Sequence, residues 1–349
     1  MPASQHTNVC LASLFAGHAL RRQTPKNDFV WKQTRVHLNN EEECSWLCVF
    51  GEPPAGWTTR IPRHRRIVVI TEPKSIIHHP LTYLNQFGTV INPYRRLLFY
   101  RGRWLRTHPH ITWFKYGLIP LKKRHLRPTP YPLWQDIKAE KKKTKRMSVI
   151  CSGKRLNRFQ AQRLRFVAAL RQELGTQIDF YGRDDNRIED KADALDPYRY
   201  HIALENNQDK HFWTEKLAES YLGEAYPIHA GCKNLHDYFP RQAYTSINIF
   251  NIPSAIQKVK EVIASNLYET NREHILEAKR RVIKSYQLFP VIDRLVHAHG
   301  HEPYRPLATP VPIKQSYGIP QRLRGTFDRD WLWRKMQKSL YASQKTPEP

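Results

Sequence analysis

At 349 residues, 40% of them hydrophobic and 11% aromatic, the chain is long enough for two domains with cores of their own and too apolar for a disordered polymer. Its 57 Lys and Arg against 31 Asp and Glu leave a formal charge of +26, which predicts attraction to an anion: nucleic acid, an acidic membrane surface or a phosphorylated small molecule. The cysteines Cys10, Cys44, Cys48, Cys151 and Cys232 are scattered and odd in number, which excludes a disulfide framework, and Cys44 and Cys48 lack a second Cys or His pair at zinc-ligand spacing.

In chain order, the N-terminal apolar stretch in "NVCLASLFAGHALRR" is short, and no run of about 18 apolar residues occurs to span a membrane. "WLCVFGEPP" and "RIVVITEPK" read as strands stopped by proline, and "LTYLNQFGTVINP" as a helix-like turn leading into another strand. The charged stretch 138–146, "KAEKKKTKR", is the best linker, with a boundary near Lys145. Beyond it "RMSVICSG" is a buried strand, and Leu156, Phe159, Ala161, Leu164, Val167 and Leu170 recur at helical spacing up to Gly175, a natural C′ residue. "QIDFYGR", "YRYHIALEN", "YPIHAG" and "TSINIFN" read as strands, "TEKLAESYLGEA" and "PSAIQKVKEVIAS" as helices. Such alternation argues an α/β fold with parallel, doubly wound sheets. From about residue 265 the chain is mostly helical, until prolines in "HGHEPYRPLATPVPIKQSYGIP" mark an extended crossing segment. The tail "DRDWLWRKMQKSLYASQK" sets Leu332, Met336 and Leu340 on one helical face, suited either to docking on its own domain or to lying on an anionic membrane. The expected organisation is a domain at 1–137, the linker, a domain at 147–300, and a crossing segment with a basic amphipathic tail at 301–349.

The densest chemistry lies in "HIALENNQDKHFWTEKLAESYLGEAYPIHAGC". With Tyr200 to Leu204 a parallel strand, Glu205, Asn206 and Asn207 fall past its carboxyl end, where open α/β sheets bind ligands. Glu215 and Lys216 then open the next helix, whose N-terminus favours an anion and to which Lys216 adds a full charge. Taken singly, Thr214 is an N-cap, Glu215 a first-turn acid and Lys216 a solvated side chain. As a cluster they fit a phosphate, since Glu205 and Asn206 have no evident capping duty.

"LENNQDKHFWTEKLAESYLGEAYPIHAGCKNLHDYFP" resembles the signature of glycosyltransferase family 10, the α-1,3/1,4-fucosyltransferases: Phe-Glu-Asn-Ser, a short gap, Tyr-Val-Thr-Glu-Lys, a helix, then Pro-(Ile/Val)-x-x-Gly. The likeness continues more weakly through "SVICSGKRLNRFQAQRLRFVAALRQELGTQIDFYGR", and the first half offers only "VITEPKSI". Leu204, Asn207 and Phe212-Trp213 depart from the pattern but leave its charged residues intact. The resemblance implies a GT-B architecture, two Rossmann-like domains facing a cleft, the second binding GDP-fucose and the first contributing the acceptor side and the base. By position, Lys216 resembles the residue that neutralises the donor diphosphate and Glu215 the one that bonds the ribose. Arg163 resembles the second diphosphate contact, with Arg165 as its rival, and Glu205 and Asn206 would face the sugar.

Inverting transfer needs a carboxylate to take the acceptor proton and cations to stabilise the departing GDP. For the base, Glu72 in "VVITEPKS" is preferred and Glu52 in "FGEPP" is the alternative, each at a strand end before proline. Arg and Lys can do a metal's work here, so no cofactor is expected; the lone Asp-x-Asp, Asp328 and Asp330, sits in the tail. The expected partners are GDP-fucose and an oligosaccharide or lipid-linked glycan, with peripheral contact to an anionic membrane from the cytoplasmic side, as in bacterial members that build surface polysaccharide or lipopolysaccharide. A transferase of another nucleotide sugar is the nearest alternative. Nucleic acid is not expected: runs such as "RIPRHRR" and "KKRHLRP" carry no accompanying zinc-finger, RNP-like or helix-turn-helix signature.

Overall fold

The computed structural model describes residues 6–15, 17–113, 116–117, 142–182, 186, 188, 190–299 and 303–314. Residues 138–141 of the expected linker and the tail, with Leu332, Met336, Leu340, Asp328 and Asp330, lie outside them. The fold is α/β, in two compact units, each built on its own sheet.

The first unit holds β1 (Thr7–Ala12), α1 (Gly17–Arg21), β2 (Val30–Trp31), β3 (Thr34–Leu38), β4 (Trp46–Phe50), β5 (Thr58–Thr59), β6 (Arg66–Val69), α2 (Leu81–Leu84), β7 (Thr89–Asn92) and β8 (Arg103–Arg106). Its sheet runs β2-β3-β1-β4-β6-β7-β8. In the N-terminal apolar stretch, Val9 to Ala12 are fully buried between β3 and β4, which pair with β1 in parallel. A strand covered on both faces must read as continuous apolar sequence, and that is why its periodicity alone did not declare it.

The second unit holds β9 (Lys145–Cys151), α3 (Arg158–Leu174), β10 (Asp179–Gly182), β11 (Tyr198–Leu204), α4 (Glu215–Leu222), β12 (Tyr226–Ala230), β13 (Thr245–Ser246), α5 (Ile252–Ala264), α6 (Leu267–Thr270) and α7 (Arg272–Arg281), and the chain continues into α8 (Leu288–His299). Its sheet, β10-β9-β11-β12-β13, is parallel throughout. Lys145 and Arg146, read from composition as linker, begin β9, because the backbone of Lys145 pairs with Tyr198 of β11. "TSINIFN" supplies only a two-residue strand before turning at Asn248. On α3 the buried face is Phe159, Arg163, Phe166, Val167, Leu170 and Leu174, not the stripe through Ala161 and Leu164. Gly175 ends that helix with φ at +31°, a conformation that suits glycine.

The units are not continuous in sequence. Among the described residues, 106–113 and 116–117 group with the second, and 292–299 and 303–314 with the first, so the chain changes unit more often than one boundary near Lys145 implies. The proline-rich segment returns as β14 (Val311–Pro312), antiparallel to β5, with the Leu307 and Ile313 amides donating to the Arg60 and Trp57 carbonyls. No helix among the described residues is long and apolar enough to cross a membrane.

Both sheets share one strand order. Numbering the parallel strands within each unit from the first gives 2-1-3-4-5, as β3-β1-β4-β6-β7 and as β10-β9-β11-β12-β13. In such sheets the connections leaving neighbouring strands diverge where the order reverses, opening a crevice at their carboxyl ends. That point lies between β1 and β4 in the first unit and between β9 and β11 in the second.

Candidate functional site

In the second unit the reversal point gathers Ser152 after β9, Glu205 and Asn206 after β11, Arg163 from α3 and the first turn of α4. Of the two arginines proposed from sequence, Arg163 is buried and Arg165 is exposed on the far side of the helix. Arg163 shares a face with Phe159, Phe166 and Leu170, one and two turns away, so the apolar periodicity carries it inward. Its Nη1 donates to Asn206 Oδ1 at 3.0 Å and to the Glu205 carbonyl at 3.3 Å; its Nη2 donates to the Ser152 hydroxyl at 3.3 Å. Asn157 caps α3 by accepting from the Gln160 amide, and its own amide group donates to the Asn206 carbonyl, tying the α3 start to the strand end.

Glu205 does something the sequence did not reveal. It is fully buried, and its carboxylate accepts from the Thr214 amide at 2.8 Å and the Thr214 hydroxyl at 2.6 Å. Thr214 in turn caps α4, so Glu205 caps the cap. Its carboxylate thus holds the α4 start, and Asn206 Oδ1 holds Arg163. Burial pushes the Glu205 carboxyl upward against the pull of Lys216.

Glu215 and Lys216 follow as the first two residues of α4, both half-buried. Lys216 Nζ donates to Glu215 Oε1 at 2.7 Å and to Thr214 Oγ1 at 3.4 Å. An ammonium has three N–H donors, and these contacts use two. Burial pushes the Glu215 carboxyl up, but Lys216 and Lys191 outweigh it and hold the group well below the usual carboxylate range. Burial likewise works against the Lys216 charge, and Glu215 and Glu205 raise its pKa above the ordinary lysine value. Lys191 is a residue the sequence reading missed. It lies outside the strand-helix motif and reaches the group by pairing with Glu219, one turn beyond Glu215.

The departures from the family pattern have a packing reason. Phe212 and Trp213 are buried, and Trp213 stacks on His108 with ring centroids 3.8 Å apart and planes at 14°. Tyr238, Phe239 and Tyr286 meet Trp213 edge-on. A large ring at position 213 is accommodated because residues around His108 belong to this unit. The motif glycine, Gly231, has φ at +156°, and a Cβ there would stand 2.6 Å from the Glu205 side chain. Gly231→Ala should therefore displace Glu205 from Thr214, leaving a buried carboxylate poorly satisfied at a cost of about 3 kcal/mol. A urea midpoint equal to that of the parent chain would show that Glu205 relaxes without penalty.

Glu52 and Glu72 belong to the first unit. They follow β4 and β6, adjacent parallel strands, so both stand at the carboxyl edge of that sheet, as expected. Glu52 lies beside the reversal point, and His79 Nδ1 approaches its Oε1 at 3.8 Å. Burial holds His79 down to about 4, so its ring is neutral at pH 7. No group of three or more His, Cys, Asp or Glu side chains among the described residues is placed to hold a metal ion.

The geometry is thus two cations, Arg163 and Lys216, braced by Asn206, Glu205, Thr214 and Glu215 at the carboxyl edge of a parallel sheet, an arrangement suited to a diphosphate. Residues 140–274 match the family model described as glycosyltransferase family 10 (fucosyltransferase), C-terminal. Solved structures similar to the chain include an α1,3-fucosyltransferase with GDP, at 16% identity and a TM-score of 0.48 over 82% of this chain and 93% of that one. Another is an α1,3-fucosyltransferase with GDP-fucose, at 15% identity and a TM-score of 0.47 over 83% and 94%. The matched span contains every second-unit residue of the cluster, so it is this domain, rather than the whole chain, that is similar to glycosyltransferase family 10.

Proposed function

We propose that the protein transfers L-fucose from GDP-fucose to a hydroxyl of a glycan acceptor with inversion at the anomeric carbon. The observation that carries this reading is the convergence of Arg163 and Lys216, both held in place by protein partners, within the family's domain. In the reaction the acceptor oxygen bonds to C1 of the sugar as the bond from C1 to the β-phosphate oxygen breaks. The electron pair leaves with GDP, and the acceptor proton passes to a carboxylate. Charge growing on the diphosphate is met by the Lys216 ammonium and the Arg163 guanidinium, preorganised donors that need no rearrangement at that moment. Glu215, kept ionised by Lys216, is suited to accept from the ribose hydroxyls. Glu205 and Asn206 serve this reading as positioning residues, through Thr214 and Arg163.

The first unit supplies the base in this proposal. Glu72 is favoured by its likeness to the family's Glu-Ser-Pro region, and Glu52 is the alternative by its place beside the strand-order reversal. Replacing the true base with alanine should lower kcat by about 100-fold or more while leaving donor affinity unchanged. Glu72→Ala and Glu52→Ala assayed side by side identify it, and unchanged turnover in Glu72→Ala removes that residue from the role. Because cationic side chains neutralise the diphosphate, transfer should survive chelation of divalent metal; loss of activity in EDTA restored by a metal would refute this part of the mechanism.

The reading as a whole is tested by calorimetric titration of the full chain with GDP-fucose, GDP-mannose and UDP-galactose. Saturable binding of GDP-fucose in preference to the others supports it. Preference for another nucleotide sugar would assign a related transferase.

A further inference from the structure

The two large apolar side chains most exposed among the described residues are neighbours, Leu98 at 86% and Phe99 at 71%. They form the tip of the connection between β7 and β8 in the first unit, away from any role assigned above. Contiguous exposed apolar surface of this kind marks an interaction site more often than chance exposure.

The tip is displayed by a built scaffold. Leu97 packs against the core beneath, and Tyr100 is buried, its hydroxyl donating to the Phe87 carbonyl at 3.1 Å. The Tyr100 carbonyl accepts from Arg96 at 2.7 Å, and the Arg101 amide donates to Asn85 Oδ1 at 3.0 Å. Arg63 bonds the Arg101 carbonyl at 2.8 Å, and Trp104 bonds the Tyr94 carbonyl at 2.9 Å. Tyr100 and the backbone flanking the pair are tied inward, while the Leu98 and Phe99 side chains stand exposed on the turn.

Charge surrounds the tip with one sign. Arg95, Arg96, Arg101 and Arg103 are all exposed, and the sequence carries no Asp or Glu between Glu72 and Asp136. Next to the pair a concavity of about 850 Å³ is lined by Leu81, Leu98, Phe99 and Tyr100 together with Arg63, Asn85 and Arg101. Apolar walls with two guanidinium groups match a phospholipid phosphate and the first methylenes behind it.

We infer that the Leu98–Phe99 tip inserts into the interface of an anionic phospholipid membrane, with the flanking arginines bound to headgroup phosphates. Two apolar side chains supply depth, and the arginines supply the electrostatic attraction that a single apolar contact lacks. A second copy of this chain is a poorer occupant, because pairing like patches would bring the two arginine sets together. The inference does not depend on the identity of the sugar donor.

The test uses the full chain and unilamellar vesicles of phosphatidylcholine, with and without phosphatidylglycerol. Since the described cysteines are all buried, a Leu98→Cys variant accepts a polarity-sensitive thiol dye at the tip. The dye should shift to the blue on anionic vesicles and be quenched by spin-labelled lipid. Leu98→Ser combined with Phe99→Ser should lower vesicle partitioning about tenfold or more without changing the melting temperature. Arg95→Gln with Arg101→Gln should weaken binding and flatten its dependence on salt. Partitioning of the serine variant equal to the parent's, or an unshifted dye on a chain that still sediments with vesicles, would overturn the inference. So would a parent chain that ignores vesicles but self-associates through the tip, which sedimentation velocity of the serine variant would reveal.

Discussion

Lys216→Ala should bind GDP-fucose about 100-fold or more weakly than the parent chain and lose a similar or larger factor in kcat. The ammonium is the one full positive charge on the first turn of α4, and the dipole of an eight-residue helix does not replace it. Charge-assisted contacts to phosphate contribute about 1.5–3 kcal/mol in binding, and removal of a preorganised donor to a developing anion costs about 3–4 kcal/mol of transition-state stabilisation. The substitution also leaves Glu215 and Glu205 without the cation that offsets them. A fall in affinity alone would therefore be ambiguous, and the melting temperature must be recorded beside it. A well-folded variant with full donor affinity would refute the assignment of Lys216 to the diphosphate. Lys216→Arg should rescue only in part, since a planar guanidinium cannot reproduce the contacts of an ammonium to Glu215 and Thr214.

The largest stability effect should come from a residue with no part in the chemistry. Glu224 follows α4 with φ at +56°, is fully buried, and accepts from Lys279 at 2.7 Å and from Arg272 at 2.8 Å. This ion group fastens α7 to the end of α4, the helix whose other end carries Glu215 and Lys216. Glu224→Gln keeps the shape but removes the negative charge that offsets the buried Lys279 ammonium, at an expected cost of about 3–5 kcal/mol. For a unit of this size that corresponds to a melting temperature roughly 6–20 °C lower. Burial raises the Glu224 carboxyl, but Lys279 and Arg272 outweigh it, and the folded-state pKa lies below the ordinary 4.5. A depressed folded pKa means that its stabilisation is complete above 4.5 and is lost as the pH falls through the folded value. The parent chain should thus lose stability in acid more steeply than Glu224→Gln, whose melting temperature already lacks this contribution. Replacing the group with Glu224→Leu and Lys279→Met together should recover much of the loss, because an apolar pair needs no compensating charge. Equal acid sensitivity of parent and Glu224→Gln would show that the carboxylate is not paired as described.

Much of the second unit was legible in the sequence because parallel-sheet strands buried on both faces read as mostly apolar runs, and "MSVIC" and "HIAL" are such runs, each broken by one buried polar residue that finds a partner in the other, Ser148 with His201. The start of α4 was legible because an N-cap threonine followed by an acid satisfies local backbone requirements that any helix has. The same locality explains what was missed. Glu205 read as having no capping duty because nothing within a few residues occupies it; its partner, Thr214, is nine residues away across a loop. Arg163 and Arg165 differ in sequence by two positions and in the structure by opposite faces of one helix. Burial of the Arg163 guanidinium was decided by Asn206 and Ser152, which come from two other strand ends.

The first unit shows the same division more sharply. Residues alone placed Glu52 and Glu72 at strand ends before proline, since proline cannot continue a ladder. That their strands are adjacent, that β1 lies in the interior of the sheet, and that Glu52 stands beside the point of strand reversal follow from pairing between segments far apart in sequence. The displayed Leu98 and Phe99 read in the sequence as an ordinary apolar pair in "RRLLFYRGRW", one among many that could face a core. Composition, net charge and the local signals of strand, cap and turn were the sequence's to determine, because each is set by a residue and its near neighbours. Which side chains meet, which buried charges are compensated and which apolar groups are left facing outward were decided only by the tertiary structure, because those depend on contacts between distant segments that no local pattern encodes.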